Sequence, residues 1–173
     1  MTTAAVHPRD GRPAPPWAVR AAHLIPLATL PSGLWRIALV AGVPLGVPDS
    51  AKAVGPWAWW ALYVVSLSLV TEALALLSVG LVRPWGEIFP RWLPLIGGRR
   101  VPPTVAVAAA GAGGVAVTLI FGYATVNMLA GRAELAISGA GWALLTVCYA
   151  PLLLWGPLLL AVTVAYYRRR CRD

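Results

Sequence analysis

Carboxylates are scarce in this chain. Of its 173 residues only six are Asp or Glu, and charged residues of either sign make up 12%, about half the share usual in a soluble domain. So few charges cannot solvate a globular surface, so the apolar surplus, 59% of the residues, must face lipid. Histidine is rarer still. His7 and His23 are too few for a metal site, and no HExxH motif accompanies them. A phosphate-binding lysine loop and a dinucleotide glycine fingerprint are also missing. The GAGG at 111–114 lies inside an apolar run with no strand before it and reads as helix packing. No catalytic residue, metal or cofactor is assigned on these grounds. The two cysteines, Cys148 and Cys171, would stand about 35 Å apart on one continuous helix. A disulfide needs Cα atoms within about 7 Å, which excludes an internal bridge and dithiol redox chemistry.

Apolar runs and arginines are what the chain does have. The composition predicts an all-α protein, a four-helix transmembrane bundle. Its spans are expected at about 22–47, 56–82, 104–129 and 138–167, within a membrane domain of 21–167. Each exceeds the roughly 20 residues needed to cross about 30 Å of hydrocarbon. Residues 1–20, rich in Pro, Ala and Arg, read as a disordered cytoplasmic tail, and 168–173 as a short basic one. The long charged lead and the absence of a clear A-x-A site argue against a signal peptide. Many of the nine tryptophans flank spans, as in PWAWWALY at 56–63, where indoles favour the water–lipid boundary.

The net charge of +8 does not point to nucleic acid, because the cations lie in tails and loops and not on one binding face. Outside the spans, Arg9, Arg12, Arg20, Arg83, Arg91, Arg99, Arg100, Arg168, Arg169, Arg170 and Arg172 fall on one side. Only Lys52 and Arg132 fall on the other. The positive-inside rule then places both termini and the second loop in the cytoplasm of a multi-pass cell-membrane protein.

Two ionisable residues fall inside spans. Arg36 is expected near the middle of the first, and Glu72, the only carboxylate within a span, slightly to the cytoplasmic side of the middle of the second. The two helices are consecutive and antiparallel, hence expected neighbours. An intramembrane Arg36–Glu72 ion pair would offset the cost of about 2.5 to 3.5 kcal/mol for a lone charge at mid-bilayer. Ser32, Ser68 and Thr71 lie within one turn and would add hydrogen bonds. Such a pair fixes helix register, lines a polar pocket, or meets a partner protein.

Two further features concern packing and surfaces. The third span carries small residues at every fourth position, Ala106, Ala110, Gly114, Thr118 and Gly122. That ridge suits close packing inside the bundle, or a seam with a second copy or another membrane protein. The loop 83–103, RPWGEIFPRWLPLIGGRRVPP, alternates apolar residues with arginines and reads as an interfacial amphipathic piece. Its Arg83, Trp85, Arg91, Trp92, Arg99 and Arg100 are the expected contacts to anionic lipid headgroups or a cytoplasmic partner.

LPSGLWR in the first span and RPWGE-x-x-PRW-x-P-x-x-GGRRVP after the second resemble a family of small four-span membrane proteins of actinobacteria. The resemblance runs from about Leu24 onward. It implies a cell-membrane protein of a high-GC Gram-positive bacterium and carries no activity with it. Three function classes stay open: a membrane partner or scaffold subunit; a small proton- or cation-coupled transporter or ligand-binding bundle using Glu72; and an intramembrane enzyme on a lipidic substrate with Glu72 as acid or base. The first fits best, and enzymatic chemistry is the less expected.

Overall fold

The computed structural model describes residues 13–47, 56–87, 98, 101–131, 137 and 139–171. The helices are α1 (Pro16–Val40), α2 (Trp57–Gly80), α3 (Pro103–Leu129), α4 (Gly139–Tyr149) and α5 (Leu152–Arg170), with a short 3-10 turn at Pro84–Glu87. Four stretches are long and apolar enough to cross a bilayer: α1, α2, α3, and α4 with α5 together over Gly139–Arg170. The protein is an all-α bundle of four membrane-span-like segments, as the composition predicts.

Proline decides where the helices begin. Pro15, Pro56, Pro102 and Pro151 stand at the N-caps of α1, α2, α3 and α5, none with a side-chain cap. A proline at a helix start lacks an N–H that would have no helical partner there, and its φ is already near the helical value. So α1 starts at Pro16 and not near 22, and takes in the last residues of the stretch read as a tail. Residues 1–12 of that tail lie outside the described residues. The other end of α1 is set by Gly42, whose φ is +82°. The amide of Val43 bonds Ala38 O at 3.0 Å and that of Gly42 bonds Leu39 O at 3.2 Å. This left-handed cap stops the helix at Val40, short of the expected Val47. Pro151 divides the fourth span into α4 and α5, because it cannot donate to the carbonyl one turn back.

In cross-section α1 is central. It packs on α2 at one side and on α4 and α5 at the other, while α3 packs on α5. The core joins Ala18, Ala22 and Ile25 of α1, Ala75 of α2 and Leu152, Trp155, Leu159 and Val162 of α5. Alanines dominate the α1 side because, in lipid, close backbone approach rather than escape from water favours helix contact. The ridge on α3 obeys the same rule. Ala106, Ala110 and Gly114 face the core cluster around α5, so part of it is used inside the bundle. A Cβ built on Gly156 of α5 would collide with Thr118 Oγ1 and lie 2.8 Å from Thr118 N and 3.0 Å from Gly114 O. Gly122, at the end of the ridge, has nothing within 4 Å of a built Cβ.

The start of α1 and the end of α5 lie together at one end of the bundle. Pro13 and Trp17 share a groove with Arg168 and Arg169, and Arg169 reaches the end of α2 at Leu81. The RPWGE stretch begins there as the 3-10 turn. It folds back until a Cβ on Gly86 would strike the backbone of Gly80, with the Trp85 ring 3.3 Å from a Cβ on Gly80. The glycine of that motif therefore has a steric reason. Trp85 and Arg83 are exposed. Arg91, Trp92, Arg99 and Arg100 lie outside the described residues.

Candidate functional site

The hydroxyl-bearing face of α1 organises the deep polar groups. Thr29, Ser32 and Arg36 recur at spacings of three and four, so they line one face of the helix. Thr29 and Ser32 are 1% and 0% exposed, whereas Arg36 and the facing Glu72 of α2 are half-buried. Thr29 Oγ1 lies 2.7 Å from Glu72 Oε2 and 2.9 Å from Pro26 O. Its single proton serves one acceptor at a time. Ser32 Oγ donates to Thr29 O at 2.8 Å. Arg36 folds back toward the start of α1, the direction in which helical side chains lean. Its Nη2 donates to Ser32 Oγ at 3.1 Å and its Nε to Ser32 O at 3.2 Å.

The expected Arg36–Glu72 ion pair is therefore replaced by two separate attachments to α1. No ion pair within 4.0 Å joins these two among the described residues. The reason is register. Glu72 is level with Thr29, and Arg36 stands seven residues further along, about 10 Å by helical rise. Ser68 is buried but donates to Val64 O of its own helix at 2.9 Å, and Thr71 donates to Leu67 O at 2.7 Å. Both satisfy backbone carbonyls and neither supports a charge. A double-mutant cycle on unfolding in bicelles should give Thr29→Val with Glu72→Gln a coupling of about 0.6 kcal/mol, up to about 1.7. The cycle of Arg36→Gln with Glu72→Gln should give coupling indistinguishable from zero, and the swapped pair Arg36→Glu, Glu72→Arg should show no mutual rescue. A larger coupling for the second cycle would restore the direct pair.

Two residues, Tyr149 and Trp35, join the site without having been singled out from the sequence. Thr29, which the sequence places on the same face one turn before Ser32, is the carboxylate's partner. Tyr149, the last residue of α4, lies with its ring centroid 5.9 Å from the Arg36 guanidinium carbon, within cation–π range. It also meets Trp35 edge-on at 5.7 Å and 84°. The signal for Tyr149 is Pro151 two residues on, which ends α4 and leaves the tyrosine at a helix terminus. Trp35 Nε1 is buried with no acceptor among the described residues. Around Arg36 the described residues thus gather N–H donors and an aromatic face, but no carboxylate. Elsewhere, Asn127 Nδ2 donates to Tyr123 O in its own helix, and the exposed Tyr123 points away from the core. Among the described residues no group of three His, Cys, Asp or Glu gathers for a metal ion. No family model, curated protein or solved structure matches the chain.

Proposed function

We propose that the chain is a membrane-embedded partner or scaffold subunit, and that Arg36 with Trp35 is its recognition point for an acceptor group on another membrane protein. One observation carries this reading: a half-buried guanidinium beside a buried indole N–H, with no carboxylate at hand among the described residues. A buried donor without an acceptor, here Trp35 Nε1, is costly, and an acceptor brought by a partner helix removes the cost. Residence in a bacterial cell membrane with both termini cytoplasmic belongs to the same proposal. It is supported by the arginine asymmetry of the tails and loops and by the meeting of the start of α1 with the end of α5 at one end of the bundle.

The test is native electrophoresis of the tagged full chain, extracted from its own host membrane and identified band by band. The chain is expected to migrate with a second integral membrane protein. Arg36→Leu should abolish that band, and Arg36→Lys should weaken it. Persistence of the same band in Arg36→Leu would refute the reading.

A second reading rests on a different observation. The Glu72 carboxylate receives one hydrogen bond, from Thr29, and keeps lone pairs free for a proton or cation. Proton flux into proteoliposomes that disappears in Glu72→Gln would establish transport in place of scaffolding.

A further inference from the structure

A groove of about 600 Å³ lies between the start of α1 and the last turns of α5. That volume is within the range of about 300–1,000 Å³ usual for ligand sites. One wall is a single face of α5, because its lining residues repeat at fours: Leu160 and Val164, then Arg168. Arg169 stands beside Arg168, and Pro15 with Trp17 closes the opposite side. From Leu160 to Arg168 the helix rises about 12 Å. The groove is therefore apolar along its length and cationic at its end, and among the described residues no Asp or Glu lines it. Arg169 spends Nη2 on Leu81 O, but its Nε–H is buried without an acceptor among the described residues. Trp17 is 51% exposed, an indole placed where a span meets the headgroup layer.

We infer that this groove is a binding site for an anionic phospholipid. One acyl chain lies along Leu160 and Val164, the phosphate meets the exposed Arg168 beside the half-buried guanidinium of Arg169, and Trp17 packs at the headgroup boundary. Charge complementarity selects the anion, since both charged lining residues are cationic. The apolar wall selects a lipid over a free phosphate, which would leave about 12 Å of that wall without a ligand. The site is distinct from the Arg36 region, and it stands or falls apart from the scaffold reading.

The experiment uses the full chain in vesicles of phosphatidylglycerol and phosphatidylethanolamine in equal amounts. Retained lipid is then counted by native mass spectrometry after extraction. Phosphatidylglycerol is expected to be retained in preference. Arg168→Gln should lower its retention about fivefold, the effect of one arginine at an anionic surface. V164W fills the groove without changing charge and, because Val164 is 48% exposed, leaves the core intact; it should lower retention at least as far. A circular dichroism spectrum confirms that both variants stay helical, and Ala161→Leu serves as a milder groove filler. Equal retention of the two lipids, or full retention in both filled variants, would overturn the site. So would displacement of the lipid by soluble glycerol phosphate, which would assign the arginines to a free anion. A photoactivatable phenylalanine analogue at position 164 should gain the mass of one phospholipid. Crosslinking to residues 1–12 or to a second copy would give the groove to that occupant instead.

Discussion

Replacing Gly156 with leucine should separate α3 from α5 and destabilise the bundle by about 3 kcal/mol, the upper part of the overpacking range. Even one added carbon would meet Thr118 Oγ1 and the backbone atoms Thr118 N and Gly114 O. Backbone cannot rotate aside as a flexible side chain can, so the helices must move apart. That movement also loosens the contacts of Phe121 with Trp155, whose ring centroids lie 6.3 Å apart. Because α3 buries only Gly114 and packs on α5, it has little else to hold it. Gly122→Ala is the matched control. Nothing lies near its built Cβ, and a glycine inside a helix is about 1 kcal/mol less favourable than alanine. The same kind of change should thus destabilise at 156 and be neutral or stabilising at 122. Reversible unfolding in bicelles measures both. A loss under about 0.5 kcal/mol for Gly156→Leu would mean that the two helices do not cross so closely.

The four spans were legible because runs of more than twenty apolar residues have few other physical destinations. Their limits were less so, and the error had consequences. Reading α1 as 22–47 sets its middle near residue 34, whereas Pro16–Val40 sets it at 28, a shift of roughly 10 Å. That shift brings Arg36 within about one helical turn of Glu72 on paper. The start signal was present as Pro15–Pro16 and the stop signal as Ala41–Gly42. Continuing hydrophobicity through Val43–Val47 masked the second. The small-residue ridge on α3 could be read from its spacing, but its receiver could not. Gly156 is a single glycine among leucines, and only the packing of α5 on α3 gives it a purpose. Thr29 illustrates a different limit. Its spacing placed it on the right face, yet which of two acceptors its hydroxyl serves depends on where another helix stands.

Arg169→Leu is expected to destabilise the protein by about 2 kcal/mol through the junction it forms between distant segments. The last turn of α5 carries Arg168, Arg169 and Arg170, charges that suit the negative end of a helix dipole. Arg169 also serves a second helix end. Its Nη2 donates to Leu81 O at 2.8 Å, and Leu81 is the C-cap of α2, where carbonyls have no helical partner. The guanidinium carbon sits 5.6 Å from the ring centroid of Tyr166, which is 5% exposed and holds the arginine in place. A charged hydrogen bond contributes about 1.5–3 kcal/mol and a cation–π contact about 0.5–1 kcal/mol. Arg169 is half-buried, so values from the lower part of both ranges apply. Arg169→Lys keeps a charge and one donor but loses the planar stacking surface, so it should lose about half as much. Arg168→Gln, at an exposed position, should stay within about 0.5 kcal/mol of the parent. Hydrogen exchange locates the effect: Arg169→Leu should speed exchange at the amides of Val82, Arg83 and Gly86, which close the turn after α2, and leave those of α3 unchanged. Unaltered exchange at these three amides, with stability near that of the parent, would show that the arginine does not hold α2 to α5.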